Sequence, residues 1–95
     1  MTQPVQTILL VEDNEANRNM LVRRLERAGH QVTTAADGET ALQIMRKQQP
    51  SVVLMDMNLP IMDGWTACRE ARLDGLIRNI PIIALTAHAM EEDKQ

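Results

Sequence analysis

The stretch that most constrains the fold runs from Ser51 to Gly64, SVVLMDMNLPIMDG. It opens as an unbroken apolar run with two β-branched valines, the pattern of a strand covered on both faces in a parallel sheet flanked by helices. The run delivers one carboxylate, Asp56, and then breaks into a loop containing Pro60 and Gly64. In open α/β sheets, ligands bind in the crevice beyond the carboxyl ends of the strands. That position makes Asp56 a candidate for chemistry, beyond the role of an aspartate that ends a strand and caps a turn.

The remaining sequence repeats the pattern. Thr7 to Val11 is a second apolar run, and it ends in Glu12-Asp13. Asn14 is placed to cap a following helix, Glu15 puts negative charge in its first turn, and Met20, Leu21, Leu25 and Ala28 recur at helical spacing until Gly29 stops it. The outward face of that helix carries Arg18, Arg23, Arg24 and Arg27, which suits either a solvated surface or a docking surface. His30 to Ala36 is short, β-branched and more polar, as for a strand nearer the sheet edge. Asp37-Gly38 turns the chain, and a second amphipathic helix opens at Thr40 and runs to about Gln49, where Pro50 blocks it. After Gly64 a third helix begins with Trp65, Cys68 and Ala71 on one face; it ends at Asp74-Gly75. A fourth apolar run, Ile82 to Thr86, ends in a hydroxyl, and Ala87 to Gln95 reads as the start of a fourth helix. Strict alternation of strand and helix predicts an α/β fold, a doubly wound parallel sheet built from right-handed crossovers.

Composition narrows the function classes. Ninety-five residues fit one domain with a single core. A net charge of −3 offers no clustered cationic surface for phosphates, so no direct nucleic-acid partner is expected. The lone Cys68 reads as a small core residue, and no run has signal-peptide character or membrane-spanning length. A cytoplasmic location is the expectation, with no membrane partner.

Three strand ends therefore deposit Glu12-Asp13, Asp56 and Thr86 at one edge of the sheet. Carboxylates converging there repel unless a cation sits among them. A hard divalent ion, Mg²⁺ in particular, suits one or two carboxylates plus water and phosphate oxygens. With such an ion in place, Asp56 is able to attack phosphorus and form an aspartyl phosphate, and Thr86 offers a hydroxyl donor to a phosphoryl oxygen.

On these residues, Glu12-Asp13, Asp56 with Asn58-Leu59-Pro60-Ile61-Met62-Asp63-Gly64, and Thr86-Ala87, the chain resembles the receiver domain of two-component response regulators from about Thr7 to its last residue. The resemblance implies a flavodoxin-like receiver fold with strand order 2-1-3-4 over residues 1–95, incomplete at its C-terminus because the family continues through a fifth strand and helix. It implies Asp56 as phosphoacceptor, and direct Mg²⁺ ligation by Asp13 and Asp56. The backbone carbonyl of Asn58 would join them, with Glu12 acting through water. Thr86 becomes the switch hydroxyl, Pro60 and Gly64 shape the loop beneath the site, and Asn58 and His88 tune the lifetime of the aspartyl phosphate. The implied donor is a histidine kinase or histidine phosphotransfer protein, so the chain is a phosphoacceptor module and not a turnover enzyme. The runs Glu12 to Asn17 and Thr86 to Met90 also resemble receivers attached to hybrid histidine kinases.

The family places a lysine after its fifth strand, whereas Lys47 and Lys94 here follow no strand. The alternative reading is thus a phosphorylation-deficient interaction or dimerisation module; without a fifth strand and helix, self-association is expected through the edge of the fourth strand or through the face of strands 3 and 4 that loses its cover, or else markedly lower stability. A haloacid-dehalogenase-type phosphatase would need an acid where Asn58 stands. A flavodoxin-like cofactor binder would need a phosphate loop where Glu12-Asp13 repels phosphate.

Overall fold

A computed structural model describes residues 6–85, in which strand and helix alternate without exception. The elements are β1 (Thr7–Val11), α1 (Glu15–Arg27), β2 (Gln31–Ala35), α2 (Gly38–Gln48), β3 (Val52–Asp56), α3 (Gly64–Leu73) and β4 (Ile82–Leu85). All strand pairs are parallel, and their order is β2-β1-β3-β4. The chain leaves β1 in one direction to reach β2 and returns past β1 to reach β3. Right-handed crossovers then put α1 on the face opposite α2 and α3. This is the doubly wound sheet that the sequence predicts, over four strands among the described residues. The expected helix over 87–95 lies outside them.

The helices start where short polar side chains satisfy free N–H groups. Asn14 Oδ1 accepts from the Asn17 N–H at 2.9 Å, as its position predicts. Asp37 and Asp63 do the same for Thr40 and Thr66, each at 2.7 Å. Asp37-Gly38 is therefore a helix start and not a free turn, and α2 begins two residues before the expected Thr40. Helix α1 stops at Gly29, whose φ of 98° is in the left-handed region; α2 stops at Gln49, with φ 48°, just before Pro50.

One face of the sheet carries the main core. Leu9, Val11, Val53 and Met55 share that face by register and pack with Ala41, Leu42 and Met45 of α2 and Ala67 and Ala71 of α3. Two sequence expectations change here. The run of β3 taken alone reads as covered on both faces, but only Val53 and Met55 are fully buried, while Val52 and Leu54, on the face expected to lose its cover without a fifth helix, are half-buried. Two helices cover the first face; on the second, α1 packs against β1 and β2 and has no fully buried residue of its own. Spacing groups Trp65 on one face with Cys68 and Ala71, yet Ala71 is buried and Trp65 is 64% exposed. The inner stripe is Gly64, Ala67 and Ala71, because α3 lies close against α2 and leaves space only for small residues. Cys68 is half-buried against the core, as expected, and burial pushes its thiol pKa up.

Glycine is required twice near the strand ends. A Cβ on Gly64 would come within 2.7 Å of both the Asp56 carbonyl oxygen and Met57 Cα. A Cβ on Gly38 would run into the Met62 carbonyl, which accepts a hydrogen bond from the Gly38 N–H at 3.0 Å. These contacts bind the loop after β3 to the starts of α2 and α3 and so fix its path beside Asp56.

Candidate functional site

The site forms at the carboxyl ends of β1 and β3, which are neighbours at the centre of the sheet. Glu12 continues the β1 ladder by donating its N–H to the Ala35 carbonyl at 3.0 Å, and its side chain folds back so that Oε2 accepts from the Asn14 N–H at 3.0 Å. Only 7% of Glu12 is exposed, whereas Asp13 is exposed and Asp56 half-buried. One carboxylate oxygen from each of Glu12, Asp13 and Asp56 lies within 4.8 Å of the others. The three acids singled out from the sequence are thus brought together.

Burial raises the pKa of Glu12 above the ordinary glutamate value; the Asn14 N–H opposes this, and the charges of Asp56 and Asp13 add to the rise. Among the described residues the one ion pair is Arg46 with Asp74, at 2.7 Å, so none of the three acids is neutralised by a side-chain cation. A compact set of carboxylate oxygens in this state fits a hard divalent ion, which takes oxygen ligands and leaves positions for water and substrate.

The loop after β3 is held against the acids. Asp56 Oδ1 accepts from the Asn58 N–H at 3.0 Å, which keeps Asn58 at the rim. Beyond Pro60 the chain makes a three-residue turn in which the Met62 N–H reaches the Pro60 carbonyl at 2.6 Å and Ile61 takes φ 66°. A β-branched residue in the left-handed region is strained. Thr86 and His88, the remaining expected site residues, lie outside the described residues.

Sequence reasoning missed Arg18. It was grouped with the outward arginines, but it is half-buried, and its Nη1 donates to the Glu12 carbonyl at 3.0 Å. The available signal was its place in the first turn of α1, where the helix dipole disfavours a cation unless another contact compensates.

The family described as response regulator receiver domain matches residues 8–95. This chain belongs to that family. Among solved structures, the receiver resembles the receiver domain of sensor histidine kinase PA1611 from Pseudomonas aeruginosa PAO1, with 43% identity and a TM-score of 0.86, covering 96% of this chain and 75% of that one. That protein was solved with a magnesium ion coordinated in its active-site cleft. Chemotaxis response regulator CheY4 of Vibrio cholerae is 34% identical with a TM-score of 0.85, over 97% of this chain and 77% of that one. Response regulator PleD of Caulobacter vibrioides is 41% identical over 84% of this chain, and sensor histidine kinase RcsC of Escherichia coli 41% over 93%. This receiver spans only 18% of PleD and 9% of RcsC. It thus corresponds to one module of those longer proteins. No helix among the described residues is long and apolar enough to cross a membrane.

Proposed function

We propose that this receiver accepts a phosphoryl group on Asp56 from a histidine kinase or histidine phosphotransfer protein, with Mg²⁺ as cofactor. The observation that carries the reading is the convergence of Glu12, Asp13 and Asp56 within 4.8 Å with no side-chain cation paired to them among the described residues. Asp13, Asp56 and the Asn58 carbonyl would hold the ion, with Glu12 acting through water. Bound Mg²⁺ supplies the positive charge that lets an anionic phosphoryl group approach these acids. An Asp56 oxygen attacks phosphorus in line as the P–N bond to the donor imidazole breaks, and the departing imidazole takes its proton from solvent. Thr86 donates its hydroxyl to a phosphoryl oxygen, and Asn58 and His88 set the lifetime of the product. The chain is a stoichiometric acceptor in the cytoplasm and not a turnover enzyme. The exposed Arg23 and Arg24 of α1 add positive charge suited to steering an acidic donor surface.

The test is intact-mass measurement after incubation with a small phosphodonor, with and without Mg²⁺. One phosphoryl group should add in Mg²⁺, and none with Asp56→Asn; modification of the Asp56→Asn variant would remove Asp56 as acceptor. In parallel, Mg²⁺ should raise the melting temperature, and Asp13→Asn should abolish most of the rise. A flat melting curve across a millimolar Mg²⁺ titration counts against the metal.

The same site sets a pH dependence. Because the Glu12 pKa is raised, folding favours its protonated form. Without metal, that contribution to stability is present below the unfolded-state pKa and is lost as pH rises through the folded value. Mg²⁺ needs the ionised form, so the direction reverses for binding. Mg²⁺ affinity should fall as pH drops through a window above the ordinary glutamate value, and Glu12→Gln should flatten that fall in calorimetric titrations.

A further inference from the structure

We propose that Arg18 is a positioning residue for the acid pair: its guanidinium holds the Glu12 carbonyl and thereby sets the direction in which Asp13 presents its carboxylate. The inference rests on the metal reading above and adds a residue to it. Arg18 is the fourth residue of α1, where the helix dipole disfavours positive charge. It is half-buried, while Arg23, Arg24 and Arg27 of the same helix are exposed. What Arg18 gains there is the bond from Nη1 to the Glu12 carbonyl, 3.0 Å long and reaching back six residues out of the helix.

That carbonyl belongs to the peptide joining Glu12 to Asp13, the point at which the chain leaves the sheet. The Glu12 N–H is already held by the Ala35 carbonyl and its Oε2 by the Asn14 N–H. The peptide is planar, so holding its oxygen also fixes the Asp13 N–H and Cα, and the Asp13 Cβ direction then depends only on rotation about the N–Cα bond, which the capped helix start limits. The β1 ladder fixes Glu12 on one side and the Asn14 cap fixes the helix start on the other. Arg18 closes this frame around Asp13.

Charge and position predict opposite signs, which makes the inference testable. Removing a positive charge near three carboxylates would, by Coulomb's law alone, tighten cation binding. Losing the hold on the Glu12–Asp13 peptide would weaken it, by about tenfold on the scale of outer partners that orient metal ligands. The experiment is calorimetric titration of Mg²⁺ into the wild-type chain, Arg18→Met and Arg18→Lys, with metal-free melting curves for each. The positioning role predicts binding about tenfold weaker in Arg18→Met, a metal-free melting temperature close to wild type, and recovery toward wild type in Arg18→Lys, which still donates to the carbonyl. Equal or tighter binding by Arg18→Met overturns it. So does a weakening matched by loss of metal-free stability, or an Arg18→Lys variant no better than Arg18→Met. If wild type itself binds no Mg²⁺, the proposed function fails first, and the two failures are told apart.

Discussion

Strand β1 carries Ile8, Leu9, Leu10 and Val11, all buried; strand β4 carries Ile82, Ile83, Ala84 and Leu85, none fully buried. Both are parallel, both are apolar, and in register Leu10, Leu54 and Ile83 form one cross-strand row. Leu10 has no exposed surface, whereas Ile83 is 52% exposed. Pairing accounts for the difference. β1 lies between β2 and β3 under helices on both faces, while β4 pairs with β3 alone among the described residues. A strand's burial follows from its neighbours more than from its own residues, and the acids Glu12 and Asp13 follow directly on the strand that is paired on both sides.

The largest expected effect tests that contrast directly. Leu10→Ala should cost roughly 3 kcal/mol, as for other large-to-small changes in a packed interior, and Ile83→Ala less than about 1 kcal/mol. Urea unfolding of the two variants measures the gap. Comparable losses would show that the open face around Ile83 is packed in solution.

Next comes the junction between the two strands. Gly64→Ala forces a methyl against the Asp56 carbonyl and Met57 Cα, both backbone neighbours that yield little. Roughly 2 kcal/mol of destabilisation is expected from such overpacking. The displacement falls at the end of β3, where Asp56 is opposite Leu85. Amide exchange should therefore accelerate in β4 well before β1, since β1 is also held by β2. Uniform acceleration would mean that the edge strand does not lean on β3 in this way.

A smaller effect of opposite sign is expected at Ile61. Its φ of 66° is unfavourable for a β-branched side chain, and the side chain is 80% exposed, so little packing compensates. Ile61→Asn should stabilise the fold by about 1 kcal/mol, since asparagine tolerates the left-handed region. An unchanged or lowered unfolding midpoint would show that Ile61 makes a contact that outweighs its strain.

The central half of the molecule was the legible half. Apolar runs ending in acid marked β1 and β3, their parallel alternation implied neighbouring ends, and the family resemblance named the same acids. The misreadings arose where local chemistry was ambiguous or tertiary space decided. Asp37-Gly38 looked like a turn because Asp-Gly is a turn dipeptide, yet Asp37-Gly38-Glu39-Thr40 and Asp63-Gly64-Trp65-Thr66 share one pattern, and both aspartates cap the N–H of the threonine three residues on. That hydrogen bond to Thr66 also lowers the Asp63 pKa. Spacing grouped Trp65 with Cys68 and Ala71, but the residues of α3 that are buried where it approaches α2 are Gly64, Ala67 and Ala71. The half-open face of β3 does not show in its own run, because a strand does not encode how many helices cover it; it was legible only from the family resemblance, whose fifth helix would cover that face. Arg18 was hidden because helical periodicity groups it with exposed arginines, while its partner is a backbone carbonyl that no side-chain pattern displays.

The smallest stability change belongs to Ile83→Lys, and it isolates what β4, unpaired on its outer side among the described residues, does. Ile83 is half open to solvent already, so a lysine keeps its charged end in water and lays its stem over the same surface; the unfolding free energy should move by less than about 0.5 kcal/mol. Association should respond far more. A parallel edge strand with apolar side chains presents backbone donors and acceptors to a second copy, and charged residues on such edges suppress that pairing. If the sheet extends through β4, sedimentation of the wild-type chain at rising concentration should show self-association that Ile83→Lys reduces, and the rise in melting temperature proposed for Mg²⁺ should be unaffected because the acids lie at the ends of β1 and β3. A wild-type chain that stays monomeric at high concentration removes the β4 edge as an interface. Association undiminished in Ile83→Lys would instead direct attention to α1, whose Met20 is 45% exposed and which has no fully buried residue.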